Sequence, residues 1–140
     1  MAGQVAVDEG ERFASTGLVD GAHNPAGAET LKKFLEEFSR DRLITLIFGA
    51  MSDKAVAEMA AILFPVAQTV ILTKASDRRA ASTQHIAELT KEIQPKIRQR
   101  ESLAEALSEA AAITPANGLI VVCGSLYLAG ELLKLIRATN

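Results

Sequence analysis

A chain of 140 residues, 49% apolar and 23% charged, is long enough for one domain with its own core and too apolar to remain disordered. Fifteen Lys and Arg against seventeen acids leave a net charge of -2, and with one Tyr and no Trp there is neither a basic surface nor a stacking platform for nucleic acid. No apolar run approaches the roughly 20 residues of a membrane-spanning helix; residues 1–11 lack the pattern of a signal peptide, and the single cysteine excludes an internal disulfide, which predicts a cytoplasmic protein.

In chain order, residues 1–16 are small and polar and read as a lead-in, a linker remnant or an edge hairpin of 4–7 against 12–14. From residue 17 short apolar runs alternate with helical spacing. Runs at 17–19, 43–48, 70–73 and 119–123, with a weaker one at 96–99, have the length and β-branched content of buried parallel strands. Asn24 and Pro25 read as an N-cap and first-turn proline for a helix to about Phe38, whose Leu31, Phe34, Leu35 and Phe38 share one face. Ser52 is expected to cap a helix over 53–64 and Ser82 one over 83–93. Helices follow at 101–113 and 125–137. Alternating strands and helices predict an α/β fold: a three-layer Rossmann-like domain over residues 17–140, with a mostly parallel sheet of five to six strands flanked by helices.

In such a sheet, ligands bind at the carboxyl ends of the strands, so the strand-to-helix turns carry the chemistry. The first is Asp20-Gly21-Ala22-His23-Asn24-Pro25. A carboxylate there can accept from ribose hydroxyls and an imidazole can donate to a phosphate, beside a helix N-terminus. The same residues also suit an ordinary turn. The second turn, 49–54, places Lys54 at a helix start, where the dipole disfavours a cation unless an anion binds. The third, 74–82, holds Arg78 and Arg79, either a grip for a carboxylate or phosphate or a charged loop paired with Asp77. In the fourth, Gly124 permits close backbone approach and Ser125 is a helix cap or a carboxylate contact.

Several signatures are missing from the 140 residues. There is no G-x-x-x-x-G-K-[ST], no G-x-G-x-x-G after the first strand and no G-x-S-x-G around Ser125. His23 and His85, with one cysteine, make no zinc pattern, so no metal ligands are assigned. Cys123, closing an apolar run, reads as buried and inert, and no catalytic residue is assigned.

Four segments nevertheless resemble one family in its order: the Asp20 to Pro25 string, Phe48-Gly49-Ala50-Met51-Ser52-Asp53-Lys54, Arg79-Ala80 followed by Ser82, and Gly124-Ser125-Leu126-Tyr127-Leu128-Ala129-Gly130. Over residues 17–137 the chain resembles the C-terminal domain of folylpolyglutamate synthase and bifunctional dihydrofolate synthase, in the Mur ligase superfamily. The resemblance implies an ATP-dependent ligase of folate metabolism. ATP phosphorylates a folate carboxylate, and the glutamate amine then attacks the acyl phosphate to give an amide, ADP and phosphate. It implies that Asp20, His23 and Asn24 serve the nucleotide and that Ser125, Lys54 and Arg79 serve the incoming glutamate. The partners it implies are ATP with Mg2+, glutamate, a folate or pteroate, and an N-terminal P-loop domain that holds the metal ligands. Without that domain the chain is expected to be inactive. The family's D-K-D reads Asp53-Lys54-Ala55, with one acid missing. That change motivates an alternative, a freestanding module that binds a nucleotide or acidic metabolite without ligase activity.

Overall fold

The computed structural model describes residues 4–8, 16–38, 41–52, 55–93 and 97–139. The strands are β1 (Gln4–Asp8), β2 (Thr16–Asp20), β3 (Ile44–Phe48), β4 (Thr69–Leu72), β5 (Ile97–Gln99) and β6 (Leu119–Cys123). Between and after them run α1 (Pro25–Phe38), α2 (Val56–Leu63), α3 (Thr83–Thr90), α4 (Leu103–Ile113) and α5 (Leu126–Thr139). The sheet order is β1-β2-β6-β3-β4-β5, with β1 antiparallel to β2 and all other neighbours parallel. This is the expected α/β architecture.

The central strands are buried throughout because helices cover both faces. Side chains alternate across the sheet. Leu46, Phe48, Val70, Leu72, Val121 and Cys123 face the layer of α1, α2 and α3, where they meet Leu31, Leu35, Met59, Leu63 and Ile86. Ile47, Ile71, Ile120 and Val122 face α4 and α5, where they meet Leu103, Ala106, Leu128 and Leu132. Phe48 and Phe64 pack edge to face, with centroids 5.3 Å apart. Alanines at positions 106 and 110 are fully buried, so the alanine-rich α4 lies close against the sheet.

Registry levels the strand ends. Phe48 pairs with Cys123 and Leu72, and Leu72 with Gln99. The loops after β2, β6, β3, β4 and β5 therefore share one edge. The helix after β3 lies on one face and the helix after β6 on the other, so the β3–β6 boundary is a switch point where connections diverge and a crevice opens.

Sequence signals and structure differ at several boundaries. β1 pairs with β2, Gln4 opposite Asp20, instead of with residues 12–14, which lie outside the described residues. Ser52 does not cap a helix: α2 begins at Val56 after Ala55, with no side-chain cap, and the Ser52 amide donates to Arg79 O at 2.8 Å, tying the second turn to the third. α2 also stops at Leu63, where Phe64–Val66 tightens into a 3-10 turn containing Pro65. α3 ends at Thr90 instead of 93, and α4 begins at Leu103 instead of 101. The Ser102 hydroxyl accepts from the Glu105 amide and donates to its carboxylate, capping α4.

One glycine holds the crevice. Gly124 has φ of 104°, and a Cβ there would lie 2.3 Å from Gly49 O and 2.9 Å from the Phe48 ring. Gly124→Ala is expected to lower unfolding free energy by more than about 2 kcal/mol, from strain plus collision. Urea denaturation of the two proteins measures it.

Candidate functional site

The first turn is held from within. Asp20, 6% exposed, accepts the Ala22 amide on Oδ1 at 2.7 Å. The next bend is set by His23, whose Nδ1 lies 2.9 Å from Gly21 O. A carbonyl only accepts, so Nδ1 carries the proton and Nε2 is the ring nitrogen left for a ligand. The half-buried ring is thus aimed by its own loop. Asn24 caps α1: its Oδ1 accepts the Gly27 amide at 2.8 Å and its carbonyl the Ala28 amide at 3.0 Å. Pro25 has no N–H, so this helix end retains little donor capacity for an anion.

The fourth turn meets the first directly. Gly124 N donates to Ala22 O at 2.9 Å, and Gly49 N donates to Cys123 O at 3.3 Å. Gly21 lies under Leu126, so closely that a Cβ would sit 2.7 Å from its Cδ2. The turns after β2, β6 and β3 therefore form one continuous rim. Ser125, 1% exposed, caps α5 by accepting the Tyr127 and Leu128 amides at 3.1 and 3.3 Å. Those bonds use its lone pairs and leave its hydroxyl proton as the group it can still offer.

The third turn closes the rim. Ala81 N donates to Ala50 O at 2.8 Å, and Met51 and Ala80 form an isolated antiparallel bridge. Arg79 engages the Asp77 carboxylate through Nε at 3.1 Å and Nη2 at 3.4 Å. Nη2 also donates to the Tyr127 hydroxyl, and the guanidinium lies over the Tyr127 ring, 5.0 Å from its centroid. Asp77 is held below its ordinary carboxylate range by this arginine, and Arg79 is raised in turn by Asp77 and then Tyr127. Glu131 on α5 accepts the Ser76 amide. The third turn is thus clasped to the start of α5 by Arg79 on Tyr127 and by Glu131 on Ser76, while the Asp77–Arg79 pair holds the third turn itself.

The structure thus brings Asp20, His23, Asn24, Ser125 and Arg79 to a single edge; Lys54 and Asp53 lie outside the described residues. Tyr127 received no role from sequence reasoning, although it is the chain's only tyrosine and follows a helix cap, positions that would have marked it. Lys74, which opens the third turn, was likewise passed over. Among the described residues no three His, Cys, Asp or Glu side chains gather as a metal site. None of the described helices is long and apolar enough to cross a membrane.

Cys123 lies beneath the rim, fully buried. Burial pushes its thiol well above the ordinary range, and the Asp20 charge adds to that. Alkylation by iodoacetamide at neutral pH is expected to be at least about a hundredfold slower in the folded chain than in urea; mass spectrometry of the labelled fraction against time measures the ratio.

A family model described as Mur ligase, glutamate ligase domain, matches residues 10–126. A probable bifunctional folylpolyglutamate synthase/dihydropteroate synthase of Haloferax volcanii is 32% identical over 117 residues, which are 83% of this chain and 14% of that protein. The folylpolyglutamate synthase of Mycobacterium tuberculosis, solved with ADP, is 30% identical and superposes with a TM-score of 0.77 over 86% of this chain and 29% of its own. FolC of E. coli, solved with DHPP and ADP, shares the fold at a TM-score of 0.82 and 24% identity, over 91% of this chain and 30% of that one. The chain spans less than a third of the length of each of these proteins.

Proposed function

Because the chain belongs to the Mur ligase family and carries its glutamate ligase domain, we propose that it is the C-terminal domain of an ATP-dependent folate–glutamate ligase. In this reading it closes over a nucleotide bound on a P-loop domain and helps position the incoming glutamate. The observation that carries the reading is the hydrogen bond from Gly124 N to Ala22 O, because it puts the acid–imidazole turn and the glycine–serine turn on one rim. A nucleotide reaching the first turn and a glutamate reaching the fourth would then lie side by side.

The chemistry needs that adjacency. The terminal phosphoryl group of ATP passes to a folate carboxylate, giving ADP and an acyl phosphate. The glutamate amine attacks the acyl carbon, the carbon–oxygen bond to phosphate breaks, and the amine loses a proton. Phosphoryl transfer depends on positioning and charge stabilisation, and the acyl phosphate must be kept from water. Asp20 offers a fixed carboxylate to the ribose hydroxyls. His23 faces a phosphate oxygen through Nε2, the ring nitrogen not engaged by Gly21 O. Asn24 holds the turn in shape. The Ser125 hydroxyl donates to a glutamate carboxylate, with Lys54 and the outward face of Arg79 supplying positive charge.

Bound magnesium supplies charge neutralisation on the phosphates, and its ligands are assigned to the P-loop domain. The 140 residues hold no phosphate-cradling loop of their own, so turnover is assigned to the two domains together.

The test uses the enzyme in which this chain is joined to a P-loop domain and follows phosphate release dependent on both ATP and glutamate. His23→Ala is expected to lower kcat/KM for ATP at least about tenfold, which is about 1.4 kcal/mol of transition-state stabilisation. Asp20→Asn keeps an acceptor for the Ala22 amide, so it is expected to lower the same parameter with little change in melting temperature. Unchanged turnover in both variants would remove the nucleotide role of the first turn. Phosphate release indifferent to glutamate would sink the ligase reading as a whole.

A further inference from the structure

A cleft of about 580 Å³ lies beside the third turn, between the ends of β4 and β5 and the starts of α3 and α4. Six of its eight lining residues are exposed, so it is an open cleft on the surface. Its charges are of both signs and come from different elements. Lys74 follows β4, while Glu101 and Glu105 open α4. Among the described residues Lys74 and Glu101 have no ion-pair partner, and Lys74 forms no salt bridge to either acid. Glu105 spends Oε1 on the Ser102 hydroxyl and keeps Oε2. Arg100, which also lines the cavity, shares the Glu109 carboxylate with Arg98, so that trio keeps one positive charge. The cavity therefore presents two carboxylates without an ion-pair partner, Lys74 without one and Arg100 only partly compensated, and Lys74 does not close on either acid. Gln84 and Gln99 complete the lining with neutral donors and acceptors.

We infer that this cavity binds a zwitterionic α-amino acid with a polar side chain. The carboxylate meets Lys74, the ammonium meets Glu101 and Glu105, and the side chain meets the amides of Gln84 and Gln99. A phosphate or polyanion would face the two acids, and a simple cation would face Lys74; only a molecule carrying both charges satisfies both sides at once. The site shares the third turn with the rim, through Lys74 and Ser82, but uses none of Asp20, His23, Arg79 or Ser125.

The experiment is an amide-resolved NMR titration of the full chain with L-glutamine, to about 20 mM. Saturable shifts are expected at residues 83–84 and 99–101. Glutaramate, which lacks the amine, and 4-aminobutanamide, which lacks the carboxylate, are expected to bind at least about tenfold more weakly. The exposed-site variants Lys74→Met and Glu101→Gln are each expected to weaken L-glutamine by at least about tenfold while leaving the rest of the spectrum in place. The inference is overturned by the absence of saturable shifts, by shifts confined to residues 124–128, by equal binding of the two truncated analogues, or by variants that bind as the parent does. ADP is read at residues 20–24 in the same spectra, so a failure of the cavity and a failure of the nucleotide reading are distinguishable.

Discussion

The backbone contact at Gly124 organises this molecule. Its amide donates to Ala22 O, and its α-carbon lies so near Gly49 O and the Phe48 ring that no side chain fits. Gly49 is constrained in the same way, since a Cβ there would sit 2.8 Å from Thr73 O. Four strand ends, β2, β6, β3 and β4, thereby meet through close main-chain contacts. A side chain at either glycine would push the turns apart, and the rim would become separate loops. Backbone contacts of this kind need glycine because only it combines absence of Cβ with access to positive φ.

Around that contact the polar side chains divide their capacity between shaping the turn and facing outward. Asp20, Asn24 and Ser125 each accept a main-chain amide within their own turn. His23 gives one ring nitrogen to Gly21 O and keeps the other. Arg79 is spread over Asp77, the Tyr127 hydroxyl and the Tyr127 ring. Such turns are ordered before any ligand arrives, so a ligand would not bear the entropic cost of ordering them. The same bonds leave few groups to offer, among them an imidazole nitrogen, a hydroxyl proton and part of a guanidinium. Groups so few and so fixed suit a surface completed by a second domain.

How much could be read in advance depends on where each signal is physically rooted. Asn24-Pro25 marked the start of α1 correctly, and Ser82 that of α3, because a cap is a local hydrogen bond between residues two or three apart. The burial of Cys123 followed from its place in an unbroken apolar run. Ser52 misled because a serine before a helical pattern reads as a cap, but α2 starts only at Val56, and Ser52 belongs to a turn tied to Arg79 O of a different turn. Tyr127 was legible as the chain's one tyrosine, in the fourth turn's segment, and illegible as a partner of Arg79, forty-eight residues away in the chain.

By itself the amino-acid order determined the elements, their alternation and the placing of an acid, an imidazole and a Gly-Ser pair in strand-to-helix turns. Those features arise from side-chain periodicity and local hydrogen bonding, which act over a few residues. The tertiary structure alone decided that β6 inserts between β2 and β3 and that the first and last turns share a hydrogen bond. It also decided that Lys74 stands near two acids without pairing with them. Strand order is settled by which apolar faces can be buried together, a property of the whole chain that no short window of residues contains.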